Sequence, residues 1–198
     1  GYDDAAGTFL TQDVFTGPDV EVKYPDLDKR WQSFNRVYIL VYPAEKEEEI
    51  KQMMGEDWNA DTNRKKALET ALSETKSEPN NIFAWFNLGS NLVYFERYEE
   101  ASVAYDTARK IGFPQRMLRY QFGPFLAYFH SLRTADLQTI TDYALLRTAN
   151  SEEALLWEGW AQYRLGHSSV ALEYFQKALD ARPGYADAAY ALDYVRTN

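Results

Sequence analysis

The sequence contains no cysteine and only two histidines. Without a thiol, this chain cannot form a disulfide, a thiolate zinc site or a cysteine nucleophile. The histidines, His130 and His167, do not have the spacing of a metal site or of a catalytic triad. We therefore predict that the chain binds no metal and no cofactor. There is also no apolar run of the roughly 20 residues that a transmembrane helix needs, and no signal peptide is visible.

Positive charge is also in short supply. Lysine and arginine total 21, against 30 aspartate and glutamate residues, so the net charge is -9. Binding to nucleic acid or to an anionic membrane needs clustered positive charge, and we predict that this fragment contacts neither. The sequence begins at Gly1 without methionine, so we expect a processed or cloned piece of a longer chain. Its cellular location is therefore left open, export included.

Aromatic residues, in contrast, make up 16% of the chain, and some of them belong to a recurring pattern. The clearest copy has a tryptophan, a leucine and a glycine, then an aromatic residue between two alanines, then a proline. These are Trp85, Leu88, Gly89, Ala101, Tyr105, Ala108 and Pro114. A second copy follows at an offset of 70 residues for its glycine, aromatic and alanine positions. It comprises Gly159, Ala171, Phe175 and Ala178, with Pro183 beyond them.

This pattern resembles the tetratricopeptide (TPR) repeat, a helix-turn-helix unit of about 34 residues. In such a unit the small residues let two antiparallel helices approach closely, and the large ones fill the remaining space. An offset of 70 equals two periods of 34 plus two residues. Gly123 lies 34 residues after Gly89, and Ala144 lies 34 before Ala178, so we place the two extra residues between Gly123 and Ala144.

We predict an all-α TPR solenoid with a C-terminal capping helix, preceded by a short N-terminal α/β arm. The repeat boundaries are 45–79 for a degenerate copy, 80–115, 116–150 for a distorted copy, 151–183, and 184–198 for the cap. The degenerate copy rests on Gly55, Ala67, Ala71 and Pro79. Pro124 is expected to kink a helix of the distorted copy, because proline removes a backbone donor. Between 57 and 63 we predict a loop, with Asp61 or Thr62 as the N-cap of the next helix.

The arm, residues 1–44, does not fit the repeat. We predict a strand over 7–15, a short helix over 26–34 and a strand at Val37–Val41 that ends at Pro43. Nearly every residue of Val37–Val41 is apolar, which is typical of a strand covered on both faces. We therefore expect the arm to pack against the first repeat helices or to pair with a second copy of the chain.

The arm and the repeats together resemble a known family. The motifs are G-Y-D-D-x-x-G-x-F-L-x-x-D and W-x-x-F-N-x-x-Y-I-L-V-Y-P in the arm, with Trp85–Gly89 and Arg116–Pro124 in the repeats. They are similar to the C-terminal end of bacteriocin-processing-like, papain-fold cysteine peptidases of bacteria. The resemblance implies a bacterial source and a triad aspartate at Asp13, whose Cys and His partners have no counterpart here. Alternatively, Asp13 is an ordinary turn residue.

Two functions follow as hypotheses. The first is a TPR-type module that binds a protein or peptide, which includes the peptidase domain of the same polypeptide. The second is an accessory or substrate-presenting domain of an active cysteine peptidase whose Cys and His lie upstream. As supplied, the chain is not expected to be an enzyme.

In a TPR stack the first helices of successive repeats line the inner face, and this geometry predicts a binding groove. The groove combines aromatic rings with polar side chains that can bond a peptide backbone or a carboxylate; alternatively, several of the rings are interhelical packing. The predicted groove residues are Phe86, Asn87, Arg116, Arg119, Tyr120, Gln121, Trp157, Trp160, Tyr163 and Tyr190.

Overall fold

The computed structural model describes residues 1–197, apart from the side chain of Gln115. A small antiparallel sheet and a short helix come first, followed by a stack of helices. The strands are β1 (Tyr2–Asp3), β2 (Thr8–Asp13) and β3 (Gly17–Lys23). The helices are α1 (Tyr24–Trp31), α2 (Glu47–Met54), α3 (Ala60–Ser77), α4 (Ile82–Tyr94), α5 (Tyr98–Ile111), α6 (Gly123–His130), α7 (Thr134–Arg147), α8 (Glu152–Arg164), α9 (Ser168–Ala181) and α10 (Ala186–Thr197).

The helices stack in chain order as a solenoid. The hairpins α4/α5, α6/α7 and α8/α9 each pack against the next, α3 packs on α4, and α10 covers α8 and α9. The predicted all-α repeat architecture is confirmed. In the capping helix α10, the side chains that close the end of the stack are the predicted ones, all buried: Ala188, Ala191, Leu192 and Val195. Within residues 1–197, no helix combines the length and apolarity needed to cross a membrane.

Local sequence signals explain where the central helices begin and end. Asn81 caps α4, because its side chain accepts hydrogen bonds from the backbone N–H groups of Phe83 and Ala84. Gly112 ends α5 in the left-handed conformation, with φ 110°. The predicted N-cap of α3 is wrong. Asn59, and not Asp61 or Thr62, caps α3 by accepting from the N–H of Thr62, so the helix starts at Ala60.

Each outer hairpin is closed by a glycine that faces a buried ring. A Cβ on Gly89 would lie 2.7 Å from ring carbons of Tyr105, and one on Gly159 would lie 2.4 Å from Phe175. Both rings are fully buried. The glycines are therefore required by the close approach of the helices, as the pattern predicted.

The middle hairpin exchanges these roles. Its helices end and begin 36 residues after those of α4/α5 and 34 before those of α8/α9. In that register Phe125 takes the glycine position and Thr141 the ring position, and both are fully buried. The large residue has moved from the second helix to the first, which conserves volume in the core. The two extra residues consequently lie before Phe125, and not between Gly123 and Ala144 as predicted.

Pro124 does not kink a helix. It occupies the first turn of α6, where its missing N–H needs no helical partner. A 3₁₀ segment, Gln115–Arg119, replaces the start of the longer first helix found in the neighbouring hairpins. The distortion of this repeat is therefore a shortened helix.

The arm begins with a three-stranded meander, β1-β2-β3, in which each strand pairs antiparallel with the next. The strand predicted over 7–15 corresponds to β2, and the expected break at Thr16–Pro18 is the turn into β3. The helix predicted over 26–34 corresponds to α1 and the 3₁₀ turn Gln32–Phe34.

The strand predicted at Val37–Val41 is wrong. The segment has no regular structure, and Ile39 and Val41 are 85% and 93% exposed. The preceding residues, Asn35 and Arg36, adopt left-handed conformations with φ 53° and 52°, which turn the chain onto the repeats. The adjacent sheet is complete without this segment, so apolar composition alone did not produce a strand.

Candidate functional site

Helices α4, α6, α8 and α10 line one side of the solenoid, which we call the first-helix face. Two hollows lie on this face, and Leu126 of α6 lines both. One hollow, toward the C-terminus, is open. The other, toward the N-terminus, is bordered by the arm.

The open hollow, which we call the aromatic cleft, has a volume of about 640 Å³. Its walls come from α6, α8 and α10, and most of them are aromatic or aliphatic side chains. The lining residues are Leu126, Phe129, Leu156, Trp157, Trp160, Tyr163, Arg164, Asp187, Tyr190 and Tyr194.

The rings of the cleft form a continuous set of contacts. Phe129 packs edge-on against Trp157, with ring centroids 5.4 Å apart. Trp160 contacts Tyr163 at 6.0 Å and Tyr194 at 5.8 Å, and Tyr194 in turn lies 6.0 Å from Tyr190. Because the rings support one another across three helices, the surface is preformed and needs little ordering to receive a ligand.

Two charged side chains border these rings. The Arg164 guanidinium lies over the Phe129 ring, 3.6 Å from its centroid, and donates a hydrogen bond to the Phe129 backbone carbonyl. Its partial burial lowers the pKa of Arg164, although an arginine stays protonated. Asp187, on α10, supplies a carboxylate at the rim. The cleft thus offers one donor and one acceptor beside a large apolar surface.

The N-terminal half of the first-helix face already holds a segment of the chain, Gln32–Val37, which we call the docked segment. The buried Asn87 donates its side-chain N–H to the Gln32 backbone carbonyl at 2.7 Å. Gln121 donates to the Ser33 backbone carbonyl at 3.2 Å. These side chains therefore recognise main-chain groups, which carry no sequence information.

Side chains of the docked segment add further contacts. Asn35 and the buried Asn91 exchange amide hydrogen bonds of 2.9 and 3.3 Å. Arg36 bonds Glu74 of α3 at 2.7 Å and also pairs with Asp28. The pKa of Arg36 is raised by these carboxylates, Asp28 foremost. The docked segment is thus tied to α3 and α4 by side-chain contacts as well as through its backbone.

The structure separates the predicted groove residues into four places. Trp157, Trp160, Tyr163 and Tyr190 come together in the aromatic cleft. Phe86 does not reach the surface; it is fully buried against Tyr105 and Phe113, with ring centroids 5.1 and 5.4 Å away.

The remaining predicted residues lie elsewhere because α6 starts late. Asn87 and Gln121 bind the docked segment, and Tyr120, 69% exposed, lines the hollow beside it. Arg116 and Arg119 lie on the 3₁₀ segment and line a different pocket with Arg147. Since residues 115–122 precede the first helix of their repeat, counting 34 residues from α4 misplaced them.

Sequence reasoning did not find four residues of the cleft: Leu126, Phe129, Arg164 and Asp187. The signal was present for two of them. Leu126 and Phe129 lie 34 residues before Trp160 and Tyr163, so counting backwards from the third repeat would have found both. Counting forwards from the first repeat crossed the two extra residues and missed them.

The other candidate residues have structural contacts. The Asp13 carboxylate accepts hydrogen bonds from the backbone N–H groups of Phe15 and Thr16, at 2.7 and 3.0 Å, and these bonds lower its pKa. These are the contacts of a turn residue between β2 and β3. His130 stacks on Tyr98 with ring centroids 4.3 Å apart. In the described part of the chain, no group of three or more acidic or histidine side chains is placed to hold a metal ion.

The helix hairpins, their glycine-ring contacts and the capping helix define a TPR-type helical-repeat fold. A solved structure with this fold is that of YrrB, described as "a TPR protein with an unusual peptide-binding site". It matches with a TM-score of 0.58 and 21% sequence identity, over 68% of this chain and 69% of that chain. The sequence matches no protein-family model and no curated protein.

Proposed function

We propose that this chain is a protein- or peptide-binding module whose aromatic cleft receives a short extended segment of a partner polypeptide. The observation that carries the proposal is the division of the first-helix face. One half holds the docked segment through bonds to backbone carbonyls, and the other half is open and lined by rings. The face therefore has the chemistry to hold an irregular peptide.

The structural neighbour supports the same reading. YrrB shares the fold and is described as having a peptide-binding site. At 21% identity this likeness carries the fold alone, so the ligand class is argued from the cleft itself.

The cleft favours a segment with apolar or aromatic side chains. A ring packed against the cleft aromatics contributes about 0.5–1.5 kcal/mol beyond the area that it buries. Arg164 and Asp187 can bond polar groups of the same segment, and their opposite charges favour a ligand without a large net charge.

The test is a peptide screen followed by one matched pair of variants. A library of immobilised random dodecapeptides is probed with the protein, and the best binder is titrated in solution while the fluorescence of Trp157 and Trp160 is recorded. Tyr190 is 65% exposed and lies in the cleft, whereas Tyr143 is 47% exposed and lies on α7 outside it. Tyr190→Ser should weaken binding about tenfold or more, and Tyr143→Ser should leave it unchanged.

Two results would contradict the proposal. Equal loss in both variants would mean that binding does not take place in the cleft. A screen without any binder whose affinity depends on Tyr190 would remove the cleft as a peptide site. Circular dichroism and the melting temperature of both variants check that the fold is retained.

A second candidate is an accessory or substrate-presenting domain of a cysteine peptidase. The observation that favours it is the docked segment, which ties the peptidase-like arm, including β2 and Asp13, directly to the repeats. Such a contact would hold a preceding catalytic domain in a fixed position relative to the cleft. Extending the native reading frame upstream is the discriminating observation: this candidate needs a Cys and a His before Gly1, and an upstream sequence without them would exclude it.

A further inference from the structure

A second hollow, on a different part of the solenoid, has the opposite chemistry to the aromatic cleft. It lies between the 3₁₀ segment Gln115–Arg119 and the end of α7, has a volume of about 280 Å³, and shares no lining residue with the cleft. Its lining residues are Arg116, Leu118, Arg119, Ala144, Arg147, Thr148 and Ser151. We call it the arginine pocket.

Three arginines line this pocket, and no acidic side chain does. Elsewhere the chain neutralises its arginines locally, as with Arg97 and Glu100 at 2.6 Å or Arg133 and Asp106 at 2.7 Å. In the described residues, by contrast, Arg116, Arg119 and Arg147 have no carboxylate within 4.0 Å and do not lie over an aromatic ring.

This arrangement is unexpected in a chain of net charge -9. Three like charges around one hollow repel one another unless an anion lies between them. The dipole of α7 favours a cation at Arg147, in the last turn of that helix. It does not explain Arg116 and Arg119, which belong to a separate segment.

The polar groups beside the arginines are also free. The hydroxyls of Thr148 and Ser151 line the pocket, and among residues 1–197 neither has a side-chain hydrogen-bond partner. A hydroxyl can donate one hydrogen bond, and each guanidinium can donate two parallel ones to an oxyanion. The pocket therefore presents donors, with positive charge, and no fixed negative charge.

We propose that the arginine pocket binds a phosphoryl group. A phosphate monoester carries about -1.5 to -2 charge at neutral pH and three acceptor oxygens, which suits three guanidiniums better than the single charge and two oxygens of a carboxylate. The group can come from free phosphate or from a phosphorylated residue on a polypeptide. This site is separate from the peptide cleft and does not depend on it.

Isothermal titration tests the site with two probes, inorganic phosphate and a blocked phosphoserine, with blocked serine as the uncharged comparison. The pocket variant is Arg119→Gln with Arg147→Gln. The control is Arg30→Gln with Arg196→Gln, which removes the same charge from two exposed arginines that do not line the pocket. Removing two charge-assisted contacts should weaken phosphate binding roughly 100-fold, at about tenfold for each.

We expect the control variant to bind like the wild type and blocked serine not to bind. Tighter binding of phosphoserine than of inorganic phosphate would identify a phosphorylated polypeptide as the source, and the reverse order would identify free phosphate. The proposal is overturned if neither probe binds at low ionic strength, or if the control variant loses as much affinity as the pocket variant. Single Arg147→Gln repeats the test should the double variant not fold.

Discussion

The strongest prediction concerns the docked segment, whose attachment depends on two buried asparagines of α4. Changing Asn87→Ala and Asn91→Ala removes the bond to the Gln32 carbonyl and both amide bonds with Asn35. A net contribution of about 0.5–1.5 kcal/mol for each hydrogen bond gives about 3 kcal/mol for the three. Since 1.4 kcal/mol is a factor of ten, detachment of the segment should become roughly 100-fold more frequent.

Amide hydrogen exchange measures this detachment directly. The N–H groups of Asn35, Arg36 and Val37 bond carbonyls within Trp31–Phe34, at 2.9, 3.2 and 3.1 Å, so their protection reports the docked conformation. Protection should fall in the double variant, while amides in the middle of α5 keep theirs. Alanine also has the better helix propensity, so we expect the melting temperature to change less than the local exchange.

The matched control is Asn150→Ala, an exposed asparagine between α7 and α8. It should leave the exchange of residues 35–37 unchanged. If those amides stay as protected in the double variant as in the wild type while α4 remains folded, the asparagines do not hold the segment. Docking would then depend on Arg36 and its carboxylate partners.

Two further predictions follow from the packing and from the titration of one histidine. Gly159→Ala places a methyl group 2.4 Å from the buried Phe175 ring, which Trp160 confines at 5.2 Å, so it should destabilise by about 1–3 kcal/mol, less about 1 kcal/mol for helix propensity; adding Phe175→Leu should restore part of the loss in urea denaturation, and strictly additive effects would contradict the steric explanation. Desolvation, with Arg164 second, lowers the pKa of His130 from its usual 6.5, so the unfolded state takes up the proton first; stability should be complete above pH 6.5 and fall as pH drops through the folded value, and His130→Phe, which keeps the stack on Tyr98, should reduce the difference between urea midpoints at pH 7.5 and 5.5, whereas an unchanged difference would refute the role of His130.

The sequence alone was sufficient for the repeat architecture. Gly89 with Tyr105 and Gly159 with Phe175 recur at one offset because the contact between two helices of a hairpin depends on residues close in the chain. The apolar positions of α10 likewise indicated the cap, since an exposed solenoid end must be covered. These features depend on local spacing, and local spacing can be read from a sequence.

Half of the predicted groove could not be obtained in this way. The exchange of Phe125 and Thr141 preserves the volume of the middle hairpin while removing the glycine landmark, so the register there is decided by packing. A two-residue error in that register moved Tyr120 and Gln121 off the helix and hid Phe129, which belongs to the cleft.

Only the tertiary structure decided the fate of Val37–Val41 and of Asn87. An apolar run forms a strand only when a neighbouring strand is available, and the meander β1-β2-β3 is paired without it. Asn87 was predicted from its helix face to bond a peptide backbone, and it does bond one, but the backbone belongs to Gln32 of the same chain. Sequence periodicity determines which face of a helix a residue occupies; what lies against that face depends on contacts between residues 55 positions apart in the chain.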